Sequence, residues 1–252
     1  MITNNSNTYQ LVIVVPCYNE ETRLPIQQFK SFVEQKENNN ILICFVNDGS
    51  QDNTNEVLQR LSEEHPASIT FLSLKENVGK AEAVRKGFLH CNEHFCYDKI
   101  AYLDADLATS LEECIRVSNF VNDEVIFAFG SRISKLDNNI KRKFYRFFIG
   151  RIIATLISLQ LRLKVYDTQC GCKVFKTDLV PSVFKNSFIS KWLFDVEIFH
   201  RLIKMYGRKQ LHTLTKEVPL KAWLDTDDSR VEFTYMFKLW FDLLAIGRQY
   251  KK

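Results

Sequence analysis

The stretch "KIAYLDADLATS", residues 99–110, decides how the chain folds. The apolar run Ile100-Ala101-Tyr102-Leu103 stops at Asp104, and Asp106 follows after one alanine. A short apolar run bounded by polar residues suits a strand buried on both faces. Two carboxylates at its end can turn the chain and cap the next element, or they can converge on one hard cation. A D-x-D triplet is a weak signal alone, so its neighbours have to decide.

Four further runs repeat the pattern. Residues 11–15 (LVIVV) end at Pro16, residues 41–46 (ILICFV) end at Asn47-Asp48-Gly49-Ser50, and residues 69–74 (ITFLSL) and 125–130 (VIFAFG) read as further strands. Between them, residues 21–36, 52–60 and 80–90 read as helices. Strand–helix units of this length predict right-handed crossovers and a parallel sheet with helices on both faces. Ligands of such open sheets bind outside the carboxyl ends of the strands. Here those ends carry Tyr18-Asn19-Glu20, Asn47-Asp48, Asn77 and Asp104-Asp106, so one edge gathers the polar loops.

Each loop has an ordinary structural role beside a chemical one. Asp52 or Asn53 can cap the adjoining helix, which leaves Asp48 without that duty. A carboxylate at Asp48 can accept from an imide N–H or a ribose hydroxyl. The dinucleotide fingerprint G-x-G-x-x-G is absent, and so is G-x-x-x-x-G-K-[ST]. Gly79-Lys80 opens a helix and can meet a phosphate or a base. His90, Cys91, His94 and Cys96 lack the glutamate of H-E-x-x-H, and Cys170-Gly171-Cys172 lacks a second pair at zinc-finger spacing. An all-oxygen pair such as Asp104 and Asp106 matches Mg²⁺ or Mn²⁺, with water and phosphate oxygens completing the shell.

Composition sets outer limits. In 252 residues, 46% hydrophobic and 25% charged residues predict a folded globular chain. A net charge of +4 is too small to indicate nucleic acid. The polar N-terminus MITNNSNTYQ has no signal-peptide pattern, and no 18-residue apolar stretch occurs. Seven cysteines with no export signal read as reduced, mostly buried thiols of a cytoplasmic protein.

Taken together, Pro16-Cys17-Tyr18-Asn19-Glu20-Glu21, Asn47-Asp48-Gly49-Ser50, Asn77-Val78-Gly79-Lys80 and Asp104-Ala105-Asp106 resemble the inverting family 2 glycosyltransferases of GT-A fold. Gly130-Ser131-Arg132, Asp167-Thr168-Gln169-Cys170-Gly171-Cys172-Lys173 and Trp192-Leu193-Phe194-Asp195-Val196-Glu197 resemble the polyprenyl (dolichyl) phosphate branch, nearer its glucosyl than its mannosyl members. Resemblance runs over residues 9–224; Cys172 stands where an aromatic is usual, and no membrane anchor is seen at either end. The resemblance implies one domain over 1–252. Residues 9–134 would bind the nucleotide sugar, 135–224 the acceptor, and 225–252 would form an interfacial helix.

It further implies that Pro16, Tyr18, Asn19, Glu20, Asp48, Asn77, Gly79, Lys80 and Asp104 serve the donor, a UDP-sugar in preference to GDP-mannose. Asp104 and Asp106 would hold the metal. Arg132, Arg146 and Gln169 would bind a polyprenyl phosphate, and Asp167 or Asp195 would be the base or an orienting carboxylate. A saccharide hydroxyl acceptor is the first rival, since it requires a true base. A donor-binding protein without turnover is the second.

Residues 141–164 (KRKFYRFFIGRIIATLISLQLRLK) place Ile149, Ile152, Ile153, Leu156, Ile157 and Leu161 at helical spacing. Lys141, Arg142, Lys143 and Arg146 lie beside Phe144, Phe147 and Phe148, a pairing that suits an anionic membrane surface or a lipid phosphate. In the tail, Phe233, Met236, Phe237, Trp240, Phe241 and Leu244 share a helix face. That face predicts either peripheral attachment to the cytoplasmic side of a membrane or a homo-oligomer contact.

Overall fold

The computed structural model describes residues 8–133, 139–141, 144–224 and 235–251, with side chains placed for 8–133, 153–224 and 239–251. At the centre, β1 (Thr8–Cys17) pairs in parallel with β2 (Ile41–Asn47) and with β4 (Cys96–Leu103). β3 (Ile69–Ser73) extends the sheet in parallel beyond β2. On the other side, β7 (Cys172–Lys176) runs antiparallel between β4 and β5 (Phe127–Ser131). β8 (Thr215–Pro219) then pairs in parallel with β5, giving the order β3-β2-β1-β4-β7-β5-β8. A separate parallel pair joins β6 (Asn139–Lys141) to β9 (Ala222–Leu224).

The apolar runs are explained by cover on both faces. Val12 and Val14 of β1 face one core with α3 (Lys80–His94), α6 (Val180–Val183), α7 (Phe194–Leu214), the end of α5 (Phe144–Leu161) and α8 (Tyr235–Gln249). Leu11, Ile13 and Val15 face the other, with α1 (Ile26–Val33), α2 (Thr54–Glu64) and α4 (Leu111–Ser118). The first core is strongly aromatic: Phe127 stacks on Phe175 at 4.7 Å, and Phe88 on Phe184 at 4.2 Å.

Three details depart from the sequence-based expectation. Pro16 does not end β1 but pairs with Val46, where pairing with β4 has already stopped at Val14. One side of the strand is open there, a position that proline tolerates. The first helix begins only at Ile26, because Pro25 restrains Leu24 and residues 20–24 close a turn, Leu24 N–H donating to Glu20 O at 2.9 Å. The fifth apolar run pairs with the unforeseen β7 rather than with β4.

The side chains of Arg146 and its basic, aromatic neighbours lie outside the described residues, as do Phe233, Met236 and Phe237. On α8, Leu243 and Ile246 are buried, whereas Trp240, Phe241 and Leu244 are 49%, 71% and 54% exposed. No described helix is long and apolar enough to cross a membrane. All seven cysteines are free thiols, and only Cys96 is exposed.

His200 ties three helices together. Its Nε2 lies 3.2 Å from Gln160 Nε2 of α5, and its ring stacks on Tyr250 at 5.2 Å. Burial, with Arg208 adding to it, depresses its pKa from 6.5 to about 4. The unfolded chain therefore takes up a proton that the folded chain refuses. The stability from neutral His200 is complete above pH 6.5 and drains away as pH falls towards 4. Melting curves at pH 7 and pH 4.5 should show a smaller loss for His200→Gln than for the wild type; equal losses would remove His200 from the acid response.

Candidate active site

The loops after β1 and β2 are sewn to each other. Glu20 N–H donates to Thr54 Oγ1 at 2.7 Å, Gln51 N–H to Asn19 Oδ1 at 2.9 Å, and Asn53 Nδ2 to Glu21 Oε1 at 2.6 Å. Asp48, buried at the end of β2, accepts from the N–H groups of Val78 (2.8 Å) and Gly79 (2.9 Å). Burial raises its carboxyl pKa despite these two bonds. Gly49 makes the close approach feasible: its φ is +63°, and a Cβ there would fall 2.3 Å from the carbonyl carbon of Glu76. Pro16, Tyr18 and Asn19 are half-buried and Asn77 is exposed, so the four loops present one rim.

Beyond β4, Asp104 and Asp106 form a tight turn. Leu107 N–H donates to Asp104 O at 3.2 Å, and Ala108 N–H to Asp106 Oδ1 at 3.0 Å. Lys80, the first residue of α3, brings Nζ within 2.5 Å of Asp104 Oδ1. Burial opposes the charge on Lys80, yet Asp104, Asp195 and Asp106 outweigh it and hold its pKa above the ordinary lysine value. Asp104 thus pairs directly with the ammonium, and Asp195 and Asp106 act on it electrostatically.

Gly171 supports Asp104 from behind. A Cβ at 171 would lie 2.0 Å from Asp104 Oδ2, while Asp104 N–H donates to Gly171 O at 3.2 Å. This is a fitted cradle for a carboxylate, and with Asp106 it offers the hard oxygen donors that Mg²⁺ or Mn²⁺ takes. Among the described residues no group of three or more His, Cys, Asp or Glu side chains is placed to hold a metal.

Below this cradle lies a buried polar network that includes two residues beyond the sequence-derived set, Tyr102 and Lys173. Tyr102 OH donates to Asp195 Oδ1 in a short hydrogen bond. Lys173 Nζ, fully buried, reaches Tyr102 OH (3.0 Å), Cys170 O (2.7 Å) and Asp195 Oδ1 (3.0 Å). Burial and the Asp195 charge push the Tyr102 phenol well above its ordinary pKa. Lys173, next to Cys172, Val174 and Phe175 in "CKVFK", was the available signal.

Asp167 is equally occupied. Arg132 grips both its oxygens, Nε to Oδ2 at 2.6 Å and Nη2 to Oδ1 at 2.8 Å, and Asp167 N–H donates to Glu217 at 2.8 Å. Desolvation works against Arg132, but the Asp167 charge raises its pKa further above the usual arginine value. The guanidinium also lies 5.4 Å from the Trp223 ring. Beside this pair, the buried Ser131 Oγ, Thr168 Oγ1 and Gln169 Nε2 have no hydrogen-bond partner among the described residues.

A mostly parallel sheet with an acidic turn after β4 and polar loops at one rim defines the GT-A class of glycosyltransferases. Residues 12–184 match the family described as Glycosyl transferase family 2, and the chain belongs to it. It is 30% identical to a dolichyl-phosphate beta-glucosyltransferase of Trichomonas vaginalis, over 94% of this chain and 73% of that one. With the Drosophila melanogaster protein of that name it shares 31% identity over 98% and 77% of the two chains.

Among solved structures it is similar to glucosyl-3-phosphoglycerate synthase from Mycobacterium tuberculosis, crystallised with Mn²⁺, UDP-glucose and phosphoglyceric acid. That match has a TM-score of 0.65 at 14% identity, covering 95% of this chain and 80% of that one. A mannosyltransferase from Pyrobaculum calidifontis, in complex with GDP-Man and Mn²⁺, matches at a TM-score of 0.59 and 17% identity, over 96% and 65% of the chains.

The Gly171 cradle gives a direct test. Gly171→Ala should lower stability by about 1–3 kcal/mol through overpacking, and Asp104→Ala in the same chain should recover part of it, because the struck group is gone. Denaturant unfolding of both single variants and the double variant measures the coupling; strictly additive losses would refute the contact.

Proposed function

We propose that this enzyme transfers a hexose, glucose from UDP-glucose first among the candidates, to a polyprenyl phosphate with inversion at the anomeric carbon. The names of its relatives support the glucosyl donor and the lipid acceptor. The observation that carries the choice of acceptor is the state of Asp167 and Asp195. Arg132 holds both oxygens of Asp167, and Tyr102 and Lys173 share Oδ1 of Asp195. Carboxylates engaged by partners in this way are poorly placed to serve as a free general base. A hydroxyl acceptor would need such a base. A phosphate monoester, with a second pKa near ~6, arrives already ionised.

In this reading the loops of Pro16–Glu20, Asp48 and Asn77–Lys80 receive the nucleoside end. Asp48 acts through the backbone it clamps as well as through its remaining lone pairs. Asp104 and Asp106 would hold Mg²⁺ or Mn²⁺, which when bound would offset the charge gathering on the departing nucleoside diphosphate. An oxygen of the acceptor phosphate forms the new bond to the anomeric carbon. The bond to the diphosphate oxygen breaks on the opposite face, and its electron pair leaves with the diphosphate. Arg132, oriented by Asp167, and the unpartnered Gln169 amide position the acceptor, and Arg146 is proposed to join them. The exposed Trp240, Phe241 and Leu244 support a peripheral seat on the cytoplasmic face of the membrane that holds such a lipid.

Purified protein incubated with polyprenyl phosphate and UDP-glucose or GDP-mannose, with Mg²⁺, Mn²⁺ or chelator, is the decisive assay. Lipid-linked glucose formed only with a divalent ion is expected, and Asp106→Asn should lose about 10²-fold or more of it. Transfer to a saccharide hydroxyl with no lipid-linked product would overturn the proposal. The rate should also fall as pH drops through about 6, where the acceptor phosphate takes up its second proton.

A further inference from the structure

The same geometry assigns Lys80 a second task. We propose that Lys80 is the site's exchangeable counter-ion, which makes divalent-cation binding at Asp104 conditional on the donor diphosphate. This rests on the donor-site reading proposed for these loops. Nζ lies 2.5 Å from Asp104 Oδ1. A Mg²⁺ ion needs a carboxylate oxygen at about 2.0–2.1 Å, so an ion on Oδ1 must displace the ammonium. An ion on Oδ2 must share one carboxylate with it. Either way two cations compete for the Asp104 carboxylate, and the bare metal binds at a disadvantage.

The surroundings determine where the ammonium can go. Its backbone cannot follow, because Asp48 holds the N–H groups of Val78 and Gly79 just ahead of it. Asp195 is near enough to act on Lys80 electrostatically, but its Oδ1 already takes Tyr102 and Lys173. Only the flexible side chain moves, and Asp106, which also acts on the ammonium, is the second oxygen donor proposed for the metal, so moving towards it renews the competition.

A nucleoside diphosphate supplies the missing acceptor. It brings negative charge to both cations at once, so Lys80 can leave Asp104 without losing its ion pair. Metal and nucleotide therefore bind as a set. Linkage makes the effect mutual, and coupling of this kind typically amounts to roughly 5- to 150-fold in affinity.

Mn²⁺ titrations followed by the electron paramagnetic resonance of the free ion, with and without UDP, test this on the intact protein. In the wild type, UDP should tighten Mn²⁺ about tenfold or more. Lys80→Met should bind Mn²⁺ alone several-fold more tightly and lose most of the gain from UDP, while Lys80→Arg should keep the wild-type pattern. A lysine that merely supported the fold would give the opposite sign, weaker metal binding on removal. Should Lys80→Met not fold, Lys80→Gln makes the same measurement. Unchanged or weaker Mn²⁺ binding in the neutral variant, with UDP coupling intact, would overturn the Lys80 assignment and leave the donor site standing. Wild-type protein that binds no Mn²⁺ even with UDP would overturn both.

Discussion

A lysine with none of its surface exposed joins the two halves of this protein. Lys173 sits in β7, its partner Asp195 opens α7, and Tyr102, which touches both, lies in β4. Burying an ammonium and a carboxylate costs several kcal/mol per ion unless each finds its partners. Here the Cys170 carbonyl and the Tyr102 hydroxyl complete the set. The three elements are thus obliged to meet in one register. That register brings Gly171 behind Asp104 and so fixes where the acidic turn points.

Two clamps then build the site outward from this anchor. Asp48 fastens the loop before α3 and so sets the base of Lys80. Arg132 and Glu217 fasten the Asp167 segment from opposite sides, through its side chain and its backbone. Three of the buried polar groups left unmatched among the described residues, Ser131 Oγ, Thr168 Oγ1 and Gln169 Nε2, gather beside the second clamp. Buried polar atoms without partners are costly, and this is the part of the protein where a polar ligand would relieve the cost.

The parallel half was legible because its physics is local. β1 to β4 announce themselves by apolar runs, and both faces are covered, as those runs implied. The loops gathered at one edge because parallel strands all end there. β7 was not legible. Its sequence, CKVFK, carries a charge at each of its second and last positions, and the distant Asp195 and Tyr102 make the first of these, Lys173, tolerable in a core. The candidate carboxylates Asp167 and Asp195 were visible as residues, but their engagement was not. A bidentate arginine 35 residues away and a buried lysine 22 residues away are tertiary facts. The first helix failed for a local reason, since Pro25 overrode the surrounding helical spacing.

The antiparallel strand also has a consequence for how the chain comes into being. During synthesis residues 8–103 can pair as β3-β2-β1-β4, with the loops after β1, β2 and β3 in place. The outer edge of β4 then stays unpaired until residues 172–176 emerge and fold back onto it. Until that moment the chain carries an open, apolar strand edge, the kind of surface that chaperones guard and that aggregates if left alone. The first four strands are thus a nascent platform completed from the chain's own far side, and the acidic turn receives its backing glycine in the same closing step.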